Sequence, residues 1–90
     1  MKRIVFSEQA KADIRLIPKP IAMNILTAIH RLAETSAGRV RTLKGRSGEK
    51  RLRVSDDRVR FTEETPAEGA ADGEGALHIH SVRNRREAYR

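Results

Sequence analysis

The residues best suited to chemistry lie in the stretch Lys50 to Phe61, KRLRVSDDRVRF, where arginine alternates with aliphatic side chains on both sides of a short polar segment. Side chains of a strand point to opposite faces in turn. Leu52 and Val54 therefore share one face and Arg51 and Arg53 the other. After Ser55, Asp56 and Asp57, which suit a turn, Val59 and Phe61 repeat the apolar face and Arg58 and Arg60 the basic one. The expectation is a hairpin that is apolar beneath and carries guanidinium groups above. A face of this kind is also the ordinary solvated side of a half-buried strand. Convergence gives it chemical weight. A strand expected at Ala76 to Val82 turns Leu77 and Ile79 inward and His78 and His80 to the arginine side, and the closing RNRREAYR adds Arg83, Arg85, Arg86, Tyr89 and Arg90. Guanidinium forks match phosphate oxygens, and unpaired cations on one face repel until an anion joins them. Histidine is the side chain that exchanges protons near neutral pH. On these grounds His80 is a candidate general base beside an anion-binding face.

Composition bounds what can position these groups. The chain has 90 residues, enough for one domain with one modest core. Only 3% of residues are aromatic against 38% hydrophobic, so the core must be built from Ile, Leu, Val and Ala, and a deep aromatic cofactor pocket is not expected. The formal net charge of +7 favours polyanionic partners, nucleic acid or an acidic protein. The absence of cysteine excludes disulfides and thiolate metal sites and fits a reducing compartment. No cluster of His, Asp and Glu at metal-ligand spacing is evident, so neither a metal nor another cofactor is expected. The N-terminal MKRIVF turns polar at Ser7 without a long apolar run. Neither a secretory signal nor a membrane span is expected, and the cytoplasm is the expected location.

The elements follow in chain order. Ile4, Val5 and Phe6 read as a short first strand, and Ser7 as the N-cap of a helix from about Glu8 to Ile17 that Pro18 stops. Ala10, Ile14 and Ile17 form its apolar face, with Lys11, Asp13 and Arg15 expected outward. Pro20 suits the opening of a second helix. Its stripe runs through Ile21, Ile25, Ala28, Ile29 and Leu32, broadened by Ala22, Leu26 and Ala33, and it ends between Thr35 and Gly38. His30, beside the stripe, reads as a partly exposed helix residue. RVRTLK, residues 39–44, reads as an extended approach to the hairpin. Residues 62–76, TEETPAEGAADGEGA, carry no periodic apolar pattern and read as a flexible hairpin loop. The fold class is therefore α+β. A single two-layer domain spans residues 1–90, with an N-terminal strand, an antiparallel helical hairpin and then a mainly antiparallel sheet of three to four strands.

In that order the segments IVFSEQAKADI, LKGRSGEKRLRV, DDRVRF and SVRNRREAYR resemble the RelE/ParE superfamily of small toxins from type II toxin–antitoxin pairs, over nearly the whole chain. The R-x-x-x-Y ending resembles the RelE branch, which implies a ribosome-dependent endoribonuclease cutting mRNA in the decoding site. Carried over by position, the resemblance implies a basic pair at Arg51 and Arg53 and scissile-phosphate contacts from Arg58 and Arg85. It implies Tyr89 as the catalytic tyrosine; Arg60, placed by alternation, and Arg83 and Arg86 of the basic tail are expected to join the RNA-binding surface. The implied chemistry is attack of a ribose 2′-hydroxyl on the adjacent phosphate without metal, with arginines stabilising the phosphate charge and Tyr89 or His80 moving the proton. Arginine cannot itself be the base. The implied partners are a cognate antitoxin, in a toxin–antitoxin hetero-oligomer, and the ribosome with its mRNA. The sequence departs from the family pattern at Asp57, where many relatives have an aromatic residue, and at Asn84, where many have histidine. A ParE-like inhibitor of DNA gyrase without nuclease chemistry, and a non-catalytic basic RNA-binding module, remain as alternatives.

Overall fold

The computed structural model describes residues 2–42, 48–64 and 75–84. The elements are β1 (Arg3–Phe6), α1 (Glu8–Leu16), α2 (Lys19–Thr35), β2 (Arg39–Thr42), β3 (Glu49–Val54), β4 (Asp57–Glu64) and β5 (Ala76–Asn84). All five strands form one sheet in the order β1-β5-β4-β3-β2. Only β1 and β5 run parallel. The fold is thus the α+β domain expected, with four strands after the helices and the N-terminal strand added at the far edge.

Both helices lie on the face of the sheet that carries Leu52, Val59, Phe61, Leu77, Ile79 and Val82. There Ala10 of α1 and Ile25, Ile29, Leu32 and Ala33 of α2 complete an almost wholly aliphatic core. The helices run in opposite directions. Ser7 and Asp13 of the α1 region meet β5 first at His80 and then further along at Val82. Ile21 and Asn24 lie beside Asn84 at that far end, and the Ala33 carbonyl returns to accept the Lys2 N–H. Ser7 caps α1 as expected, its Oγ accepting from the Ala10 N–H at 3.0 Å. His30 is exposed.

α2 ends earlier than its glycine suggests. Ser36, at φ 60, takes the left-handed position, and its N–H bonds the Leu32 carbonyl. Gly38 serves a different need. At φ 153 it passes so close to the core that a Cβ there would sit 2.9 Å from Leu52 Cδ1, which lets β2 approach the buried Leu52.

Three expectations need correction. Asp13 does not look outward: it is 7% exposed. β1 pairs with β5 only as far as Ile79, so the backbone groups beyond that point need other partners. Ser7 Oγ donates to the His80 carbonyl at 2.9 Å, and Asp13 Oδ2 accepts the Val82 N–H at 3.0 Å while Oδ1 takes Gln9 Nε2 at 2.8 Å. Side chains of the α1 region thus finish the edge that β1 leaves open. Asp13→Ala would strand a buried N–H, and we expect it to lower unfolding free energy by about 1–3 kcal/mol, measured by urea denaturation; an unchanged midpoint would show that water replaces the carboxylate.

Asp57 is likewise not a turn residue. It opens β4 on the helix side of the sheet, 4% exposed, and accepts from Asn84 Nδ2 at 2.8 Å. The turn itself is Ser55 and Asp56, with Ser55 at φ 56. Finally, residues 62–64 are not loop. Thr62, Glu63 and Glu64 continue β4, paired with His78, Leu77 and Ala76 of β5. The rest of the expected loop, 65–74, lies outside the described residues, as does the Leu43-Lys44-Gly45 segment.

Candidate nucleic-acid interface

Residues directly opposite one another on paired strands share a face, so the register determines which side chains meet. Arg39 of β2 stands opposite Arg53 of β3, Arg53 opposite Arg58 of β4, and Arg58 opposite Arg83 of β5. One step along, Arg41 stands opposite Arg51, and Arg51 opposite Arg60. The helix-free face therefore carries two transverse rows of arginine, four in one and three in the other. The strands are anchored from behind by Leu52, Val59 and Val82, themselves a cross-strand row in the core.

Arg83 reaches its row through an irregularity. Between Arg60 and Phe61 the register with β5 shifts, from Arg60 opposite Ser81 to Phe61 opposite Ile79, leaving His80 as the extra residue of a β-bulge. Strict alternation from Leu77 and Ile79 would send Arg83 into the core. The bulge resets the phase, so that Val82 is buried and Arg83 is exposed beside Arg58. His80 itself is half-buried on the arginine face, where its Nε2 lies 2.9 Å from Thr62 Oγ1. If the threonine hydroxyl accepts from Nε2–H, the Nδ1 lone pair stays open for a proton.

Charge is graded along this face. The carboxylates that form ion pairs gather at the end away from the four-arginine row, while Asp56, in the turn beside Arg53, pairs with none of its arginines. Glu64 pairs with Arg3 at 3.3 Å and approaches His78 at 3.9 Å, and Glu49 lies 3.9 Å from Arg60 Nε. That Nε is buried and makes no hydrogen bond, so Arg60 is partly screened by an acid without being saturated by it. Among the described residues, Arg39, Arg41, Arg51, Arg53, Arg58 and Arg83 form no ion pair. Arg53 only folds its Nε toward the Ser55 carbonyl at 3.4 Å. A separate cluster, Glu63 between Lys2 and Lys50 at 3.5 Å each, belongs to the helix side.

Of the residues singled out from sequence, the structure brings Arg51, Arg53, Arg58, Arg60, Arg83 and His80 onto one face. Arg85, Arg86, Tyr89 and Arg90 lie outside the described residues. Sequence reasoning overlooked Arg39, Arg41 and Thr62. The R-V-R alternation of residues 39–41 was the available signal, but only the pairing of β2 with β3 shows that its arginines fall in line with the others. The two departures from the family pattern, Asp57 and Asn84, prove to be one hydrogen-bonded cross-strand pair on the helix side. Asp57 therefore takes nothing away from the arginine face.

No protein-family model matches the sequence, and no curated protein is detectably similar to it. Solved structures do match. The fold superposes on a chain of the RelB–RelE antitoxin–toxin complex from Methanococcus jannaschii with TM-score 0.69 and 16% identity, covering 94% of both chains. It superposes on a chain of the RelE–RelB complex from Pyrococcus horikoshii OT3 with TM-score 0.68 and 18% identity, over 93% of this chain and 94% of that one. YafQ from E. coli strain BL21(DE3) matches over the full length of both chains, with TM-score 0.67 and 13% identity. The strand, the helical hairpin and the five-stranded sheet are thus arranged in the fold that the RelE and YafQ structures share with this chain.

Proposed function

We propose that the protein is the toxin of a type II toxin–antitoxin pair and cleaves mRNA on the ribosome. The observation that carries this reading is the pair of arginine rows on the helix-free face of a RelE-like sheet, without carboxylate partners at the four-arginine end. In the proposed reaction the 2′-oxygen of one nucleotide forms a bond to the adjacent phosphorus as the bond to the 5′-oxygen breaks. The products are a 2′,3′-cyclic phosphate and a free 5′-hydroxyl. Arg58, with Arg85, holds the non-bridging oxygens where negative charge accumulates. Tyr89, as its phenolate, takes the 2′-hydroxyl proton, with His80 the competing candidate for that role, and the leaving 5′-oxygen takes its proton from water. Arg51, Arg53, Arg60, Arg83 and Arg86 bind the surrounding RNA. No metal takes part.

The partner that fits is an antitoxin with an acidic or amphipathic segment, because a +7 chain with a concentrated basic face is best neutralised by opposite charge. That the partner is an antitoxin is supported by the similarity to RelE in its complexes with RelB from Methanococcus jannaschii and Mycobacterium tuberculosis. Induction in bacteria, followed by mapping of mRNA 5′-ends, tests the proposal. Codon-phased cuts in translated messages are expected, relieved by co-expression of a small acidic protein encoded beside the toxin. An SOS response with intact mRNA would instead favour gyrase inhibition.

A further inference from the structure

The rows extend beyond the residues that the proposed reaction uses. Arg39 and Arg41 sit on β2, an edge strand whose residues are all exposed. With Val40, Arg51, Arg53 and Arg58 they line a pocket of about 300 Å³. A phosphodiester carries one negative charge, so five guanidinium groups around one depression exceed what a single phosphate can satisfy. β2 lies two strand spacings from β4, about 10 Å, and the two rows are about 7 Å apart along the strands. That grid separates the β2 arginines from Arg58 by more than one phosphate spans. It suits successive phosphates of an extended single strand.

Resting on the nuclease reading for the position of the scissile phosphate, we propose that Arg39 and Arg41 bind RNA phosphates flanking it, which makes β2 an RNA-binding strand. The chemistry of the rows suits RNA phosphates, and an acidic antitoxin segment laid over this face would compete for the same charges. Apart from Ser81 they consist of arginine, with no apolar side chain in line to anchor a folding peptide. They also hold no aromatic ring on which a base could stack, so this contribution is to the backbone and independent of sequence.

The test uses a 2′-O-methyl RNA oligomer, which lacks the attacking hydroxyl and reports binding without cleavage. In the doubly substituted Arg39→Gln, Arg41→Gln protein, the slope of log affinity against log salt should fall by about 1.4, the share of two single-strand phosphates. Arg39→Lys with Arg41→Lys should restore most of the slope, because charge is retained. Both arginines are exposed, so the thermal unfolding midpoint should not move. A wild-type slope in the glutamine pair overturns the proposal. So does a lysine pair as deficient as the glutamine pair, which assigns the loss to a distorted β2. If the glutamine pair loses affinity for a poly-glutamate peptide and none for RNA, the surface docks protein and the proposal is again overturned. Because the probe cannot be cut, these outcomes hold whether or not the wild-type protein cleaves mRNA on ribosomes.

Discussion

Arg58→Ala should lower the single-turnover rate of mRNA cleavage on programmed ribosomes by about 10² to 10³, the usual cost of losing one preorganised donor to a developing oxyanion. Arg58 lies at the centre of the four-arginine row, between Arg53 and Arg83, on a strand whose next residue, Val59, is completely buried. Its backbone is held from behind, so truncation should leave the sheet intact. Six other row arginines remain to bind RNA, and association should weaken only by the share of one phosphate, a salt slope smaller by about 0.7. Alanine at Arg51 or Arg53 should show the reverse balance, with weaker binding and a nearly unchanged rate at saturation. A wild-type saturated rate for Arg58→Ala, with the whole loss in affinity, would place Arg58 among the binding residues and move the scissile phosphate elsewhere.

The second large effect is expected at the general base. Tyr89→Phe removes one oxygen and little surface, and it should cut the single-turnover rate by roughly 10² or more with affinity unchanged. His80→Ala provides the counter-test. His80 stands at the bulge on the arginine face with Nε2 at 2.9 Å from Thr62 Oγ1, a contact able to fix which ring nitrogen is free. A large loss in His80→Ala, echoed by Thr62→Val and absent from Tyr89→Phe, would transfer the role of base to the histidine. Should neither change affect cleavage, proton transfer is not carried by either group.

Much of this arrangement was legible in the sequence because alternation is a local property. Arg51, Arg53, Arg58 and Arg60 could be assigned to one face from spacing alone, as could the stripe of α2. Four features were not local. The bulge that leaves His80 as the extra residue arises between β4 and β5, and a one-residue slip reverses every side chain beyond it; Arg83 would otherwise be buried. Asp13, three residues after Ala10 and four before Ile17, borders the apolar stripe of α1, and only its charge suggests an outward position. It turns inward because β1 stops pairing at Ile79 and the Val82 N–H needs an acceptor. Arg39 and Arg41 join the rows only through the register of β2 with β3. The pairing of Asp57 with Asn84 was hidden for the same reason, since two polar residues far apart in sequence announce no contact until their strands are adjacent.

The most direct test of the account is the chemistry of the cut ends. Purified protein incubated with ribosome-bound mRNA in excess chelator should cleave within the decoding-site codon, and the upstream fragment should carry a 2′,3′-cyclic phosphate and the downstream fragment a 5′-hydroxyl. Fragments with 3′-hydroxyl and 5′-phosphate ends, or cleavage that disappears with the chelator, would contradict a metal-independent attack by the 2′-oxygen on the arginine-bearing face.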